Sequence, residues 1–155
     1  MTNSNGFTFI ELILVISITA ITGILVVPQL GLTLETVHSE VAVNKLMDDI
    51  RFTQNYALTN HCNTWFSINM ANNSYSYGYY ATPPYSDPQL LVDPTTNQQS
   101  LVQLDLYPDI HITGETLNNR IDFDWFGHPS SGATITINEG ININILDGTG
   151  YVVQN

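Results

Sequence analysis

The side chains able to carry out covalent chemistry are few, and their spacing does not favour catalysis. Cys62 directly follows His61, but adjacent side chains at the end of a helix diverge, so a free thiol is favoured over a thiolate–imidazole pair. Ser130 and Ser131 precede Gly132 without the G-x-S-x-G pattern of a nucleophile elbow. We therefore predict that the chain is not an enzyme.

The histidines and the cysteine are not arranged for metal chemistry either. No two histidines are four positions apart and no H-E-x-x-H segment occurs, so a zinc site is not expected. One cysteine in the chain also excludes an intramolecular disulfide and any multi-cysteine metal site. The histidines are His38, His61, His111 and His128.

The charge balance argues against nucleic-acid binding. The 155 residues, a length that suits one domain, include 3 Lys+Arg and 14 Asp+Glu, which gives a formal net charge of −11. Charged residues are only 11 % of the chain, so the net charge reflects missing bases rather than a dense acidic tail. Because Lys and Arg neutralise phosphates in protein–nucleic acid contacts, neither DNA nor RNA is an expected partner.

Glu11 is an ionisable residue in an unusual setting. It is the only charge in the apolar run of 21 residues from Phe7 to Val27, which as a helix would cross the roughly 30 Å core of a bilayer. A cleaved secretory signal would need a basic start and a shorter run, whereas residues 1–6 contain no Lys or Arg, so we favour a helix that stays in the membrane. A carboxylate within a membrane helix either has a functional role or extends to the lipid headgroups, where its charge costs less. The physical chemistry of the helix alone leaves both alternatives open.

The residues around Glu11 resemble the prepilin processing motif of type IV pilins and type II secretion pseudopilins. The matching segment is Gly6-Phe7-Thr8-Phe9-Ile10-Glu11-Leu12. The resemblance implies that a membrane prepilin peptidase cleaves between Gly6 and Phe7 and N-methylates Phe7, and that Glu11 serves filament assembly. Pro28 lies where many pilins carry a helix-kinking proline. In a staggered bundle, Glu11 would pair with the amine of a neighbouring subunit and select one axial register, because an unpaired charge in low dielectric is costly.

Periodicity divides the chain into a helical part and a β part. We predict a leader (1–6), a transmembrane and filament-core helix (7–28), an amphipathic helix half (29–60) and an antiparallel β head (61–155). Apolar residues at three- and four-residue steps predict that the amphipathic half packs on the head. The fold class is therefore α+β, with one long N-terminal helix packed on a small antiparallel sheet.

Alternation of apolar and polar residues predicts the strands of the head. A hairpin is expected from Thr64 to Tyr79 around Asn72-Asn73, and the proline-rich segment Ala81–Ser100 is expected to be a long surface loop. The further predicted strands are Leu101–Leu106, Ile110–Thr113, Arg120–Trp125, Ala133–Asn138, Ile141–Leu146 and Tyr151–Gln154. Tyr75, Tyr77 and Tyr79 share one face of a strand, which favours a core position over an exposed contact patch.

Parts of the head are similar to GspH/FimT-type minor pseudopilins. The similar segments are Ile121-Asp122-Phe123, Thr134-Ile135-Thr136-Ile137 and Gly148-Thr149-Gly150-Tyr151, the last shared with a minor prepilin of mannose-sensitive haemagglutinin (MSHA) pili. Major pilins commonly have a pair of cysteines that closes a C-terminal loop, and this chain has a single cysteine. Within the resemblance, this favours a minor subunit or a pseudopilin.

The resemblance implies a subunit of a type II secretion pseudopilus or a type IV pilus-like filament. Its partners would be other pilins through the N-terminal helix, the prepilin peptidase and inner-membrane lipid, with the head in the periplasm of a bacterial cell. The alternative is an adhesive tip subunit or an MSHA-type minor pilin of a surface pilus.

Calcium is the one cofactor that the sequence brings into question, since it occurs in the heads of some related pseudopilins. Asp122, Asp124 and Asp147 offer oxygen ligands, but no segment matches the twelve-residue calcium loop. Asp122 and Asp124 alternate along a predicted strand, which favours its solvated face. We therefore predict no cofactor, with these three residues as the weak candidates for a calcium site.

Overall fold

A computed structural model describes residues 8–81, 87–107, 110–138 and 140–155, and for residues 23–36 it describes the backbone only. Two compact units are present, Met1–Val37 and His38–Asn155. The helix α1 runs Phe9–Asn60, close to the helix predicted from the sequence.

In the first unit, α1 carries exposed apolar side chains. Residues 8–22 are all exposed, and three hydroxyl side chains among them donate hydrogen bonds to backbone carbonyls three or four residues earlier, which satisfies their polar groups within the helix. These are Ser17, Thr19 and Thr22. In the part of the chain that the structure describes, no helix is both long enough and apolar enough to cross a membrane. The predicted membrane segment 7–28 includes Phe7 and the side chains of residues 23–28, which lie outside the described residues.

In the second unit, α1 buries one face against the head. The buried apolar residues recur at the three- and four-residue steps that the sequence predicted, and they are Ala42, Val43, Leu46, Met47, Ile50 and Ala57. His61 follows the last helical residue in the left-handed conformation, with φ of 50°, which ends the helix in the manner of an αL cap.

Nine short strands follow the helix in the described residues. They form two antiparallel sheets. Sheet I has the order β3-β2-β1-β6, with β4 also paired to β2, and sheet II has the order β5-β7-β8-β9. The strands are β1 (Thr64–Asn69), β2 (Ser74–Tyr80), β3 (Pro88–Leu90), β4 (Leu101–Gln103), β5 (Ile112–Glu115), β6 (Arg120–Phe123), β7 (Ala133–Ile137), β8 (Ile141–Ile145) and β9 (Val152–Gln154).

Both sheets and the helix contribute to one apolar core. Tyr75 and Tyr77 of β2 are fully buried, and both rings stack on Phe66 of β1, with centroids 5.3 and 6.3 Å away. Tyr79 is half-buried, with its ring centroid 5.6 Å from that of Tyr56 on α1. The prediction that these tyrosines face the core is confirmed, and so is the α+β class.

The prediction that Ala81–Ser100 is a surface loop was wrong for part of the segment. Residues 82–86 lie outside the described residues, but Pro88–Leu90 forms β3, and Leu91 and Asp93 are buried. The prolines that suggested a loop are compatible with an edge strand, because Pro88 opens a strand where a missing N–H is tolerated.

Two strand predictions need smaller corrections. Of the predicted strand Leu101–Leu106, only Leu101–Gln103 is extended, and Leu104–Leu106 forms a 3-10 turn in which Leu104 is fully buried. The strand predicted at Ile110–Thr113 begins later, as Ile112–Glu115.

Two side chains and one backbone amide form hydrogen bonds with three of the outer strands. The Asn73 side chain accepts a hydrogen bond from Ile112 N at 3.0 Å beside β5, and Arg51 donates one to Val152 O at 3.1 Å beside β9. Beside β6, Ser130 N donates to Asp122 O at 2.7 Å. Each of these three strands therefore has a backbone group at its outer edge that is already hydrogen-bonded within the chain.

Candidate functional site

Thr8 and Glu11 form a capping box at the start of α1. Thr8 precedes the first helical residue, Phe9. Oε2 of Glu11 accepts hydrogen bonds from Thr8 N at 3.1 Å and Thr8 Oγ1 at 3.0 Å, and Oγ1 accepts one from Glu11 N at 3.4 Å. This reciprocal arrangement satisfies backbone N–H groups that the first turn leaves unpaired. The T-x-x-E spacing signals it, and our sequence analysis overlooked it.

The predicted processing residues Gly6 and Phe7 lie outside the described residues. The structure therefore places only Glu11 of the three residues that the prepilin motif singled out. Its assembly role stays a prediction, and the capping box adds a local role in the same chain.

A buried ionic cluster lies where α1 meets the segment between β3 and β4. Lys45 Nζ is 2.6 Å from Asp49 Oδ1 and 2.7 Å from Asp93 Oδ2, and the Tyr75 hydroxyl donates to Asp49 Oδ2 at 2.7 Å. The side chains of Asp49 and Asp93 are only 6 % and 3 % exposed. The i,i+4 spacing of Lys45 and Asp49 was visible in the sequence, but nothing there indicated that Asp93 joins them.

The cluster shifts the acidity of its members in different directions. Burial raises the pKa of Asp49 above its ordinary value, although Lys45 and Tyr75 donate to it. Burial also acts on Asp93, but hydrogen bonds from Lys45 and from Thr95 N outweigh it and hold its pKa below the ordinary value. For Lys45, the hydrogen bonds to both carboxylates outweigh burial and raise the pKa.

The two tyrosines beside the cluster resist ionisation. Burial, and then the negative charge of Asp49, raise the pKa of both Tyr75 and Tyr77 well above the ordinary value. A cavity of about 310 Å³ opens beside the cluster and is lined by Lys45, Asp93, Thr96, Gln98, Gln99, Leu101, Val102, Gln103, Leu106 and Tyr107. The single Lys45 ammonium group pairs with both carboxylates, and it links α1 to the segment between β3 and β4. The cluster is therefore best explained as a structural clamp within the head.

The three aspartates considered for calcium already have partners within the chain. Asp122 Oδ1 accepts from Arg120 Nε at 3.0 Å and from Tyr80 OH at 2.9 Å, and Asp124 Oδ1 accepts from two backbone amides of the following turn. Asp147 accepts from Gly148 N at 2.9 Å. Asp124 lies beyond the end of β6 rather than on its face. Within the described residues, no three His, Cys, Asp or Glu side chains are grouped so that they could hold a metal ion.

Cys62 is a half-buried free thiol just beyond the end of α1. Burial raises its pKa above the ordinary value, which lowers the thiolate fraction and with it the reactivity. Cys62 is therefore the free thiol that the sequence predicted.

One face of the last helical turns holds two loops of the head. Gln54 Nε2 donates to Gly127 O at 2.8 Å and to Thr149 O at 2.9 Å. One turn later, Leu58 lies beside Gly127, and His61 makes an edge contact with Trp125 at a ring-centroid distance of 6.2 Å. The helix thus holds the turn that follows β6, and that turn carries an exposed aromatic pair, Trp125 and Phe126.

No protein-family profile matches the chain, and no curated protein matches it either. Its structure is similar to the minor pseudopilin EpsH from the type 2 secretion system of Vibrio cholerae. The TM-score is 0.58 at 6 % sequence identity, over 76 % of this chain and 96 % of that one. It is also similar to the type IV minor pilin FimU of Pseudomonas aeruginosa, with a TM-score of 0.57 at 11 % identity, over 78 % of this chain and 90 % of that one.

The chain has a pilin-like fold. A helix packed on antiparallel sheets is what the resemblance of the Gly6–Leu12 segment implied.

Proposed function

We propose that this chain is a minor subunit of a type II secretion pseudopilus or of a type IV pilus-like filament. The observation that carries the proposal is the fold, which is shared with EpsH and FimU over about three quarters of the chain. The Gly6–Leu12 motif supports it independently, because a processing signal is read from sequence and not from fold. The proposed function needs no cofactor.

In this proposal the N-terminal segment has successive roles. The subunit is stored in the inner membrane with its head in the periplasm, the peptidase removes residues 1–6, and the helix then packs among those of other subunits. The two described hydrogen bonds to the Glu11 carboxylate both use Oε2. Its Oε1 would therefore meet the methylated amine of a neighbouring Phe7 while the capping box stays formed.

Processing is tested by co-expressing the full chain with a prepilin peptidase and measuring the mass of the purified product. We expect the loss of residues 1–6 and the gain of one methyl group on Phe7. A Gly6→Val chain is the matched control and should keep its full mass. An unprocessed wild-type chain would contradict the proposal.

The assembly role of Glu11 is separable from its capping role. Gln is accepted at the third helical position of a capping box, so Glu11→Gln keeps the cap and removes only the charge. We expect this variant to be inserted and folded but lost from sheared filaments. Thr8→Ala breaks the side-chain half of the box and keeps the charge, so it should be incorporated. Normal incorporation of Glu11→Gln, or equal failure of Thr8→Ala, would overturn the assembly role.

A further inference from the structure

The turn after β6 presents an aromatic pair to solvent. Trp125 and Phe126 are 48 % and 53 % exposed, and their ring centroids are only 4.1 Å apart. His61 and His128 flank the pair at ring-centroid distances of 6.2 and 6.0 Å. Aromatic residues grouped in this way are typical of the energetic centres of protein interfaces.

The turn is held rigidly, so the rings are already in position. Asp124 Oδ1 accepts hydrogen bonds from Phe126 N at 2.9 Å and His128 N at 2.8 Å. Gly127 has a φ of 75°, and its carbonyl accepts a hydrogen bond from Gln54 of α1. A partner that binds here would not have to order the turn, which lowers the entropic cost of association.

The charged residue beside the pair is acidic, and the Lys and Arg residues of the chain are engaged in ion pairs elsewhere. Asp124 is 43 % exposed beside the rings. Its Oδ2 lies 3.4 Å from Nδ1 of His128. The chain has only three Lys and Arg residues, and each forms an ion pair within the chain. The pairs are Lys45 with Asp49 and Asp93, Arg51 with Asp48, and Arg120 with Asp122.

A second copy of the chain would bring its own net charge of −11 against Asp124 and the rest of this acidic chain. Like charges facing each other across an interface oppose association. The complementary occupant is a surface with an apolar pocket for the rings and a rim of Lys and Arg.

We propose that Trp125 and Phe126 are the docking site for a different protein, whose contact surface is apolar at its centre and basic at its rim. This goes beyond the proposed function, because it concerns the head and not the N-terminal helix. It depends on neither the cleavage at Gly6 nor the charge of Glu11, so it can fail while peptidase processing succeeds.

The partner is captured by placing the photo-crosslinking residue p-benzoylphenylalanine at position 126 of the full chain, in the cells that naturally make it. We expect one protein adduct, mapped to a contact site bordered by Lys and Arg. The same residue placed at Leu106, which is 79 % exposed, is the matched control and should not give that adduct. No adduct, an adduct between two copies, an adduct with lipid, or a contact site without basic residues would each overturn the proposal.

The captured protein then serves as the probe for affinity. Trp125→Ala should raise its Kd by about 30-fold, as expected for a central aromatic residue, whereas Leu106→Ala should leave the Kd unchanged. Asp124→Asn keeps the side-chain oxygen that accepts from the turn and removes the charge, so it should weaken the salt dependence of binding. Equal Kd values for the Trp125 and Leu106 variants would contradict a docking role for the rings.

Discussion

The ammonium nitrogen of Lys45 lies 2.7 Å from a carboxylate oxygen of Asp93, which is 48 residues further along the chain. Oδ1 of Asp93 accepts a hydrogen bond from Thr95 N at 2.7 Å. Asp93 therefore holds the turn between β3 and β4 and also attaches that turn to α1. The position of the proline-rich segment on the head depends on this ion pair.

Removal of the Lys45 charge should destabilise the head strongly. Lys45→Met leaves Asp49 and Asp93 buried without their cation, which costs about 3–5 kcal/mol in the free energy of unfolding at pH 7. Lys45→Arg keeps the positive charge and should cost less. Urea denaturation followed by tryptophan fluorescence measures both variants. A loss below about 1 kcal/mol for Lys45→Met would show that the ion pair is not important for stability.

The pH dependence of Lys45→Met provides a sharper test. Lys45→Met removes from Asp49 a hydrogen bond and a positive charge that lower its pKa, so burial raises that pKa further and the folded state binds the Asp49 proton more tightly than the unfolded state does. The free energy of unfolding of the variant should therefore increase as the pH falls from 7 towards 4. In the wild-type chain the two carboxyls act in opposite directions, because the pKa of Asp49 is raised and that of Asp93 is lowered, so the stabilisation that Asp93 provides is lost as the pH falls. The free energy of unfolding should therefore rise more steeply towards pH 4 in the variant than in the wild type. Parallel curves for the two chains would contradict this account.

The head should lose stability above about pH 10. Unfolding releases Tyr75 and Tyr77 to ionise near their ordinary pKa of about 10, whereas burial keeps them neutral in the folded state. Each such tyrosine lowers the free energy of unfolding by about 1.4 kcal/mol per pH unit above that value. The raised pKa of Lys45 adds a loss at higher pH, as the ammonium group itself titrates. Tyr77→Phe should flatten the alkaline limb measured by urea denaturation, and an unchanged slope would contradict the assignment.

Alanine substitutions at two glycines near the C-terminus distinguish the cost of backbone strain from the cost of a steric clash. Gly148 and Gly150 have φ angles of 75° and 67°, so alanine at either position should cost about 1–2 kcal/mol. A Cβ on Gly148 meets nothing within 4 Å, whereas one on Gly150 collides with the Gln54 amide. Gly150→Ala should therefore lower the midpoint of thermal unfolding more than Gly148→Ala. This difference between the two thermal midpoints should become smaller when Gln54→Ala is added to both variants. If Gly148→Ala and Gly150→Ala lower the midpoint equally, the Gln54 side chain moves aside at no cost.

Gly78 permits the close approach of β3 to β2. A Cβ there would collide with the Gln89 carbonyl oxygen and lie 2.6 Å from the Trp65 ring. Gly78→Ala should cost about 1–3 kcal/mol in the free energy of unfolding, because backbone or ring must shift. Gly114→Ala is the control, with its Cβ at an ordinary 3.6 Å from Thr136, and should change stability by no more than about 0.5 kcal/mol. If both variants unfold at the same urea concentration, β3 is not held against β2 at Gly78.

Regular periodicity explains what could be predicted from the sequence. The buried face of α1 and the inward-facing tyrosines of β2 follow from the repeats of 3.6 and 2 residues. These repeats are local, so they can be recognised within a short segment of sequence. The burial of Asp93 and the double hydrogen bond of Gln54 depend on segments that meet only after folding. No local pattern marks them. The sequence predicts a strand from Arg120 to Trp125, whereas β6 ends at Phe123 and Trp125 lies in the turn that Gly127 indicates.

The hydrogen bonds at the outer strands of the sheets affect how one head could associate with another. An unpaired strand edge recruits another strand, and stacks of such pairs become aggregates. Here, Asn73, Arg51 and Ser130 already bind outward backbone groups of β5, β9 and β6. The outermost segments of sheet I, β3 and β4, are three residues long each, and the first opens with Pro88. These hydrogen bonds and the short strands leave fewer free backbone groups for pairing between two heads, which favours association through side-chain surfaces.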